Sequence, residues 1–73
     1  MTDADGNEIT LNEAVWYDDG HSVDGNGVAI WVYGTVTGFP STGGAKITPD
    51  SGGSVIIQPP KIHQNKHPNP PDR

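Results

Sequence analysis

The longest alternation of apolar and polar positions lies at residues 28–38. One face of this run would carry Val28, Ile30, Val32 and Val36, and the other would carry Ala29, Trp31, Tyr33, Thr35 and Thr37. A period of two with β-branched and aromatic side chains predicts a long strand. Glycines at 34 and 38 predict a bend, a bulge or a close approach of another backbone.

Shorter apolar segments predict further strands at residues 14–17, 45–48 and 54–58. Residues 18–27 are rich in Gly and Asp and predict a long loop that ends in a tight turn at Asn26-Gly27. After Pro59-Pro60, residues 61–63 predict a 3₁₀ turn and a short closing strand, with Ile62 returning to the core. The predicted core comprises Val28, Ile30, Val32, Val36, Ile47, Val55 and Ile57.

This order of elements, together with Gly34-Thr-Val-Thr-Gly38, resembles the SH3-like small barrels over residues 9–63. The predicted fold class is therefore all-β, a barrel of about five short strands. Residues 1–8 are expected to be a flexible acidic N-terminus, and residues 64–73 a disordered Pro-rich tail.

Charge and composition exclude several classes of function. The net charge is −5, and seven of the nine acidic residues lie before residue 25, so nucleic-acid binding is not expected. No apolar run is long enough to span a membrane, and the N-terminus does not have the pattern of a signal peptide. The expected location is the cytoplasm or a virion assembled there.

Catalytic groups are few in this sequence. Cysteine is absent, and Ser22 follows His21 in a Gly-rich loop, where neighbours in sequence rarely form a working pair. His63 and His67 have helical spacing, but the surrounding prolines disfavour a helix, so solvated histidines are expected. The sequence predicts no catalytic site, no bound metal and no cofactor.

The candidate binding residues form an aromatic strip beside the acidic loop. The strip pairs Trp16 and Tyr17 with Trp31 and Tyr33, next to Asp18 and Asp19. Such strips bind Pro-rich or aromatic-anchored ligands. The alternative is that one ring of each pair belongs to the core.

A second candidate surface is Ile56, which must face outward if Val55 and Ile57 face inward. A chain of 73 residues without disulfides gains stability from oligomerisation, so Ile56 is a candidate centre for a homo-oligomer contact.

Residues 53–59, Gly-Ser-Val-Ile-Ile-Gln-Pro, following residues 34–39, resemble the plasmid-encoded type II dihydrofolate reductases. The active-site strand of that family reads Ser-Val-Gln-Ile-Tyr, which Ser54, Val55 and Ile57 match. The resemblance implies a tetramer around one pore. Ile56 replaces the Gln that contacts folate and nicotinamide, so the resemblance implies a shared fold more than a shared activity.

The leading functional hypothesis is a small, non-enzymatic protein-interaction or assembly module, of the kind found among phage or plasmid accessory proteins. The alternatives are a type II reductase-like enzyme and an acidic inhibitor that presents its Asp-rich loop to a basic partner.

Overall fold

A computed structural model describes residues 1–72, which form an all-β structure. The strands are β1 (Ala14–Tyr17), β2 (Val32–Gly38), β3 (Ala45–Pro49), β4 (Val55–Ile57) and β5 (Ile62–His63), with a 3₁₀ turn at Pro59–Lys61. They form one antiparallel sheet in the order β4-β3-β2-β1-β5. The all-β prediction is confirmed, whereas the sheet is open and closure into a barrel is not shown.

The predicted strands at residues 14–17, 45–48 and 54–58 correspond to β1, β3 and β4. The 3₁₀ turn and the closing strand also lie where the Pro59-Pro60 pair places them. The prediction for the long strand is wrong at its start, because β2 begins at Val32 instead of residue 28.

Residues 22–30 form a small hairpin of their own, called here the loop hairpin. The N–H of Asp24 donates to the carbonyl of Val28, and the N–H of Ile30 donates to the carbonyl of Ser22. At its tip, Asp24 Oδ1 accepts hydrogen bonds from the N–H groups of Asn26 and Val28. Residues 28–30, which the alternation predicts to lie in the long strand, therefore pair with residues 22–24 of the same hairpin.

Two predicted core residues are exposed as a consequence. Val28 is 48% exposed and Ile30 is 39% exposed, so the prediction that they are buried is wrong. Within β2 the predicted faces are correct: Val36 is buried and Val32 packs against the core, whereas Tyr33 and Thr37 are exposed. The alternation identifies the faces of the strand but not its length.

Glycine is present at two positions of β2, and each is explained by a different feature of the pairing with β3. A Cβ on Gly34 would lie 2.8 Å from Ile47 Cγ2 and 3.0 Å from the carbonyl oxygen of Thr48. Gly34 therefore permits β3 to approach closely. Gly38 follows a register shift in the pairing of β2 with β3, where Val36 faces Ile47 and Gly38 faces Lys46.

The core is a single cluster beneath the sheet. Of the predicted core residues, Val36, Ile47 and Ile57 are buried, and Val32 and Val55 are partly buried against them. Ile62 is buried as predicted. The remaining buried apolar residues are Ile9, Val15, Tyr17 and Ala45.

Both terminal segments contact the sheet. The N–H of Ala4 donates to the carbonyl of Ile62, and buried Asp3 accepts from the N–H of Gln64 through Oδ2 at 3.2 Å. The Gln64 side-chain amide also donates to the carbonyl of Glu8. The predicted flexibility of residues 1–8 and disorder of residues 64–72 are not shown, and Arg73 lies outside the described residues.

Candidate functional site

Three aromatic side chains lie side by side across three adjacent strands. In the sheet register, Tyr33 of β2 faces Trp16 of β1, and Trp16 faces His63 of β5. The Tyr33 and Trp16 rings are 4.7 Å apart between centroids and tilted by 55°. Together with Trp31, these residues are called the ring strip.

Trp31 extends the strip from the segment before β2. Its ring meets that of His63 edge-on, at 4.8 Å and 74°. Because Trp31 and Tyr33 are two residues apart, they reach different neighbours: Tyr33 reaches Trp16, and Trp31 reaches His63. The sequence predicts the aromatic strip but not the role of His63.

His63 is only 8% exposed, so the expectation of a solvated histidine is wrong for this residue. Its Nδ1 donates a hydrogen bond of 2.8 Å to Asp5 Oδ2, which orients the imidazole beneath Trp31. The sequence places His63 in the predicted closing strand but does not show that it lies beside Trp16. That neighbourhood depends on the long-range pairing of β5 with β1.

The C-terminal segment lies on the ring strip. The indole Nε1 of Trp31 donates a hydrogen bond of 2.7 Å to the main-chain carbonyl of Asn69. The His67 ring is 5.1 Å from His63 and 6.1 Å from Trp31, and Lys66 Nζ lies 5.3 Å from the centre of the Trp16 ring. Together these contacts connect the segment to three of the four residues of the strip.

Two clefts flank this segment. One, of about 400 Å³, is lined by Asp18, by Pro60 and Lys61 of the 3₁₀ turn, and by His67 and Pro70. The second, of about 260 Å³, lies between the loop hairpin and the tail and is lined by both Asp24 and Lys66. Trp31 lines both clefts, together with His67, Asn69 and Pro70 of the C-terminal segment.

Among the predicted binding residues, Tyr17 lies in the core instead of on the strip. It is 1% exposed, as the alternative predicts for one ring of the Trp16-Tyr17 pair, whereas neither Trp31 nor Tyr33 is buried. Burial raises the pKa of the Tyr17 phenol, and the negative charge of Asp19 raises it further.

The acidic residues Asp18 and Asp19 organise the start of the loop. Asp18 is buried; its N–H donates to the carbonyl of Lys61, and its carboxylate accepts from the N–H of Gly20. The Asp19 carboxylate accepts from the N–H groups of His21 and Ser22 and from the Ser22 hydroxyl. Burial favours the neutral acid, but these hydrogen bonds and nearby His21 outweigh it and lower the pKa of Asp19.

Ile56 lies away from the ring strip, on the edge strand β4. It faces outward as the alternation predicts and is 54% exposed. Its predicted role in self-association stays a prediction.

Residues 1–72 hold no cluster of three or more His, Asp or Glu side chains that fits a metal ion. In the same residues, no helix is long and apolar enough to cross a bilayer. The chain matches no protein-family model, and neither a curated protein nor a solved structure shows significant similarity to it.

Proposed function

We propose that this chain is a small protein-interaction module that binds an extended peptide segment on the ring strip. The observation that carries the proposal is the hydrogen bond from Trp31 Nε1 to the carbonyl of Asn69. A main-chain carbonyl is present in every peptide, so an indole donor beside the exposed ring of Tyr33 and the partly exposed ring of Trp16 suits a polypeptide ligand.

The SH3-like arrangement belongs to the same proposal. It is supported by the strand order β4-β3-β2-β1-β5 and by the 3₁₀ turn directly before β5. In this arrangement the loop hairpin and the 3₁₀ turn border the ring strip, and loops on a rigid sheet commonly carry binding residues.

The two alternatives have less support. The Asp19 carboxylate is bonded to N–H groups of its own loop, which favours a structural role over presentation to a basic partner. The resemblance to the type II reductases stays a prediction, with exposed Ile56 at the position of the Gln of that family.

A randomised peptide library displayed on phage tests the proposal. Selection on the full chain is expected to yield peptides whose binding falls at least about tenfold with Trp31→Ala. The matched control is Ile56→Thr, which replaces an exposed β-branched residue on the edge strand and is expected to leave binding unchanged.

The same selection is made on a variant in which Pro68→Gly and Pro70→Gly loosen the C-terminal segment that lies on the strip. Failure to select any peptide on either protein would refute the proposed function. Peptides whose binding depends on Ile56 and not on Trp31 would also refute it, because the binding surface would then be the β4 edge.

A further inference from the structure

The segment of residues 66–71 contacts the ring strip through successive side chains and backbone groups. Lys66 lies over Trp16, His67 lies beside His63 and Trp31, and Asn69 accepts the indole hydrogen bond. Pro71 is buried although it lies near the end of the chain. The chain's own tail therefore occupies the surface proposed to bind peptides.

The chemistry of this segment explains why its backbone can be bound by a side chain. Pro68, Pro70 and Pro71 fix φ near −65°, and a proline biases the residue before it towards extended conformations. An extended Pro-rich segment makes no internal hydrogen bonds, so its carbonyls are free to accept. Asn69, between two prolines, presents such a carbonyl to Trp31.

Charge adds a preference for a basic ligand. Lys66 of this segment and Asp24 of the loop hairpin line the same cleft. The protein carries a net charge of −5, and its tail supplies Lys66 at the leading end of the Pro-rich stretch. Complementary charge favours the encounter of a basic segment with this face.

We propose that residues 66–71 are a tethered competitor for the ring strip. The ligand with which they compete is an extended, Pro-rich segment that begins with a basic residue. This inference rests on the proposed function. One residue separates Lys66 from Gln64, which is fixed to the N-terminal segment by its hydrogen bonds to Asp3 and Glu8. A tether this short gives the tail an effective concentration of about a millimolar or more at the strip.

The test measures binding of a fluorescein-labelled peptide with the sequence of residues 65–72 by fluorescence anisotropy, using the 73-residue chain throughout. In the release variant, Pro68→Gly with Pro70→Gly, a more flexible tail loses more entropy on binding. We expect this variant to bind the peptide at least about fivefold more tightly than the natural chain. The control Asn69→Ala keeps the main-chain carbonyl and is expected to bind as the natural chain does.

A second measurement uses the natural chain alone and so does not depend on the release variant. In NMR spectra, nuclear Overhauser effects between the Trp31 indole proton and residues 69–70 are expected to disappear as unlabelled peptide is added. Equal affinity for the natural chain and the release variant, or persistence of these signals at saturating peptide, would overturn the inference. Signals that join two differently labelled copies would overturn its intramolecular part.

The two proposals fail in different ways. If library peptides bind in a Trp31-dependent manner but the tail peptide does not bind the release variant, the tethered competitor is refuted and the proposed function stands. If no library peptide binds either the natural chain or the release variant, both are refuted.

Discussion

The apolar run at residues 28–38 divides into two regions with similar side chains and different environments. From Val32 onward the backbone pairs with β1 on one side and β3 on the other, and Val36 is fully buried. From Val28 to Ile30 the backbone pairs, among residues 1–72, with the loop before it, and the Val28 and Ile30 side chains are 48% and 39% exposed. Alternation thus specifies an extended backbone, but burial is decided by the strands that lie on either side.

The two regions also differ in what stabilises them. β2 is stabilised by apolar packing against β3 and the core, whereas the loop hairpin and the turn before it rely on Asp side chains that accept backbone N–H groups. Burial of an aliphatic side chain contributes more free energy than one exposed hydrogen bond. Substitutions in the two regions should therefore have effects of different size.

The largest expected effect distinguishes the regions directly. Ile47→Ala, opposite Val36, should lower the free energy of unfolding by about 2–5 kcal/mol because it leaves a cavity in the core. Ile30→Ala makes the same chemical change in the loop hairpin and should lower it by less than about 1 kcal/mol. Urea unfolding followed by circular dichroism measures both. Similar losses for the two variants would show that the loop hairpin packs as tightly as the sheet.

A smaller effect is expected where β3 approaches β2. In Gly34→Ala the new methyl group would meet Ile47 and the backbone of β3, so the free energy of unfolding should fall by about 1–3 kcal/mol. Gly25→Ala is the matched control in the loop hairpin, because no heavy atom lies within 4 Å of the added Cβ and its φ is not positive. Thermal unfolding compares the two, and a stable Gly34→Ala protein would mean that the strands separate at little cost.

Much of the sheet can be predicted from the sequence, because its signals are local. The turn residues, the alternation and the Pro59-Pro60 pair correctly give β1, β3, β4 and the closing strand. The start of β2 cannot be predicted in this way, since two local signals compete: alternation favours a strand from residue 28, and the Asp24 turn favours a hairpin. The choice between them depends on which strands are available as neighbours.

For the candidate site, the sequence identifies the exposed ring of Tyr33 and the partly buried rings of Trp16 and Trp31, but not what lies on them. The position of His63 follows from pairing between β1 and β5, and the docking of the tail depends on a contact between Trp31 and Asn69, 38 residues apart. Pro-rich composition without apolar anchors is typical of disorder. In this protein the tail contacts the strip through a carbonyl group and ring faces, and a pattern of hydrophobic residues does not reveal such contacts.

The smallest expected effect concerns the polar bonds at the start of the loop, and it depends on pH. Folding lowers the pKa of Asp19 below its ordinary value of 3.8, so the folded protein favours the ionised form more than the unfolded chain does. The stabilisation is fully present well above pH 4 and is lost as the pH falls through this value to the lower pKa of the folded state. Asp19→Asn should therefore remove part of the acid-induced loss of stability below about pH 4. Above about pH 6 the slope of the unfolding free energy against pH should be nearly the same as in the natural chain.

The control Asp50→Asn removes a charge from the exposed turn after β3 and is expected to keep the acid sensitivity of the natural chain. Urea unfolding from pH 2.5 to 7 measures the slopes, and a natural chain whose acid sensitivity matches that of Asp19→Asn would show that the ionisation of Asp19 contributes nothing to stability.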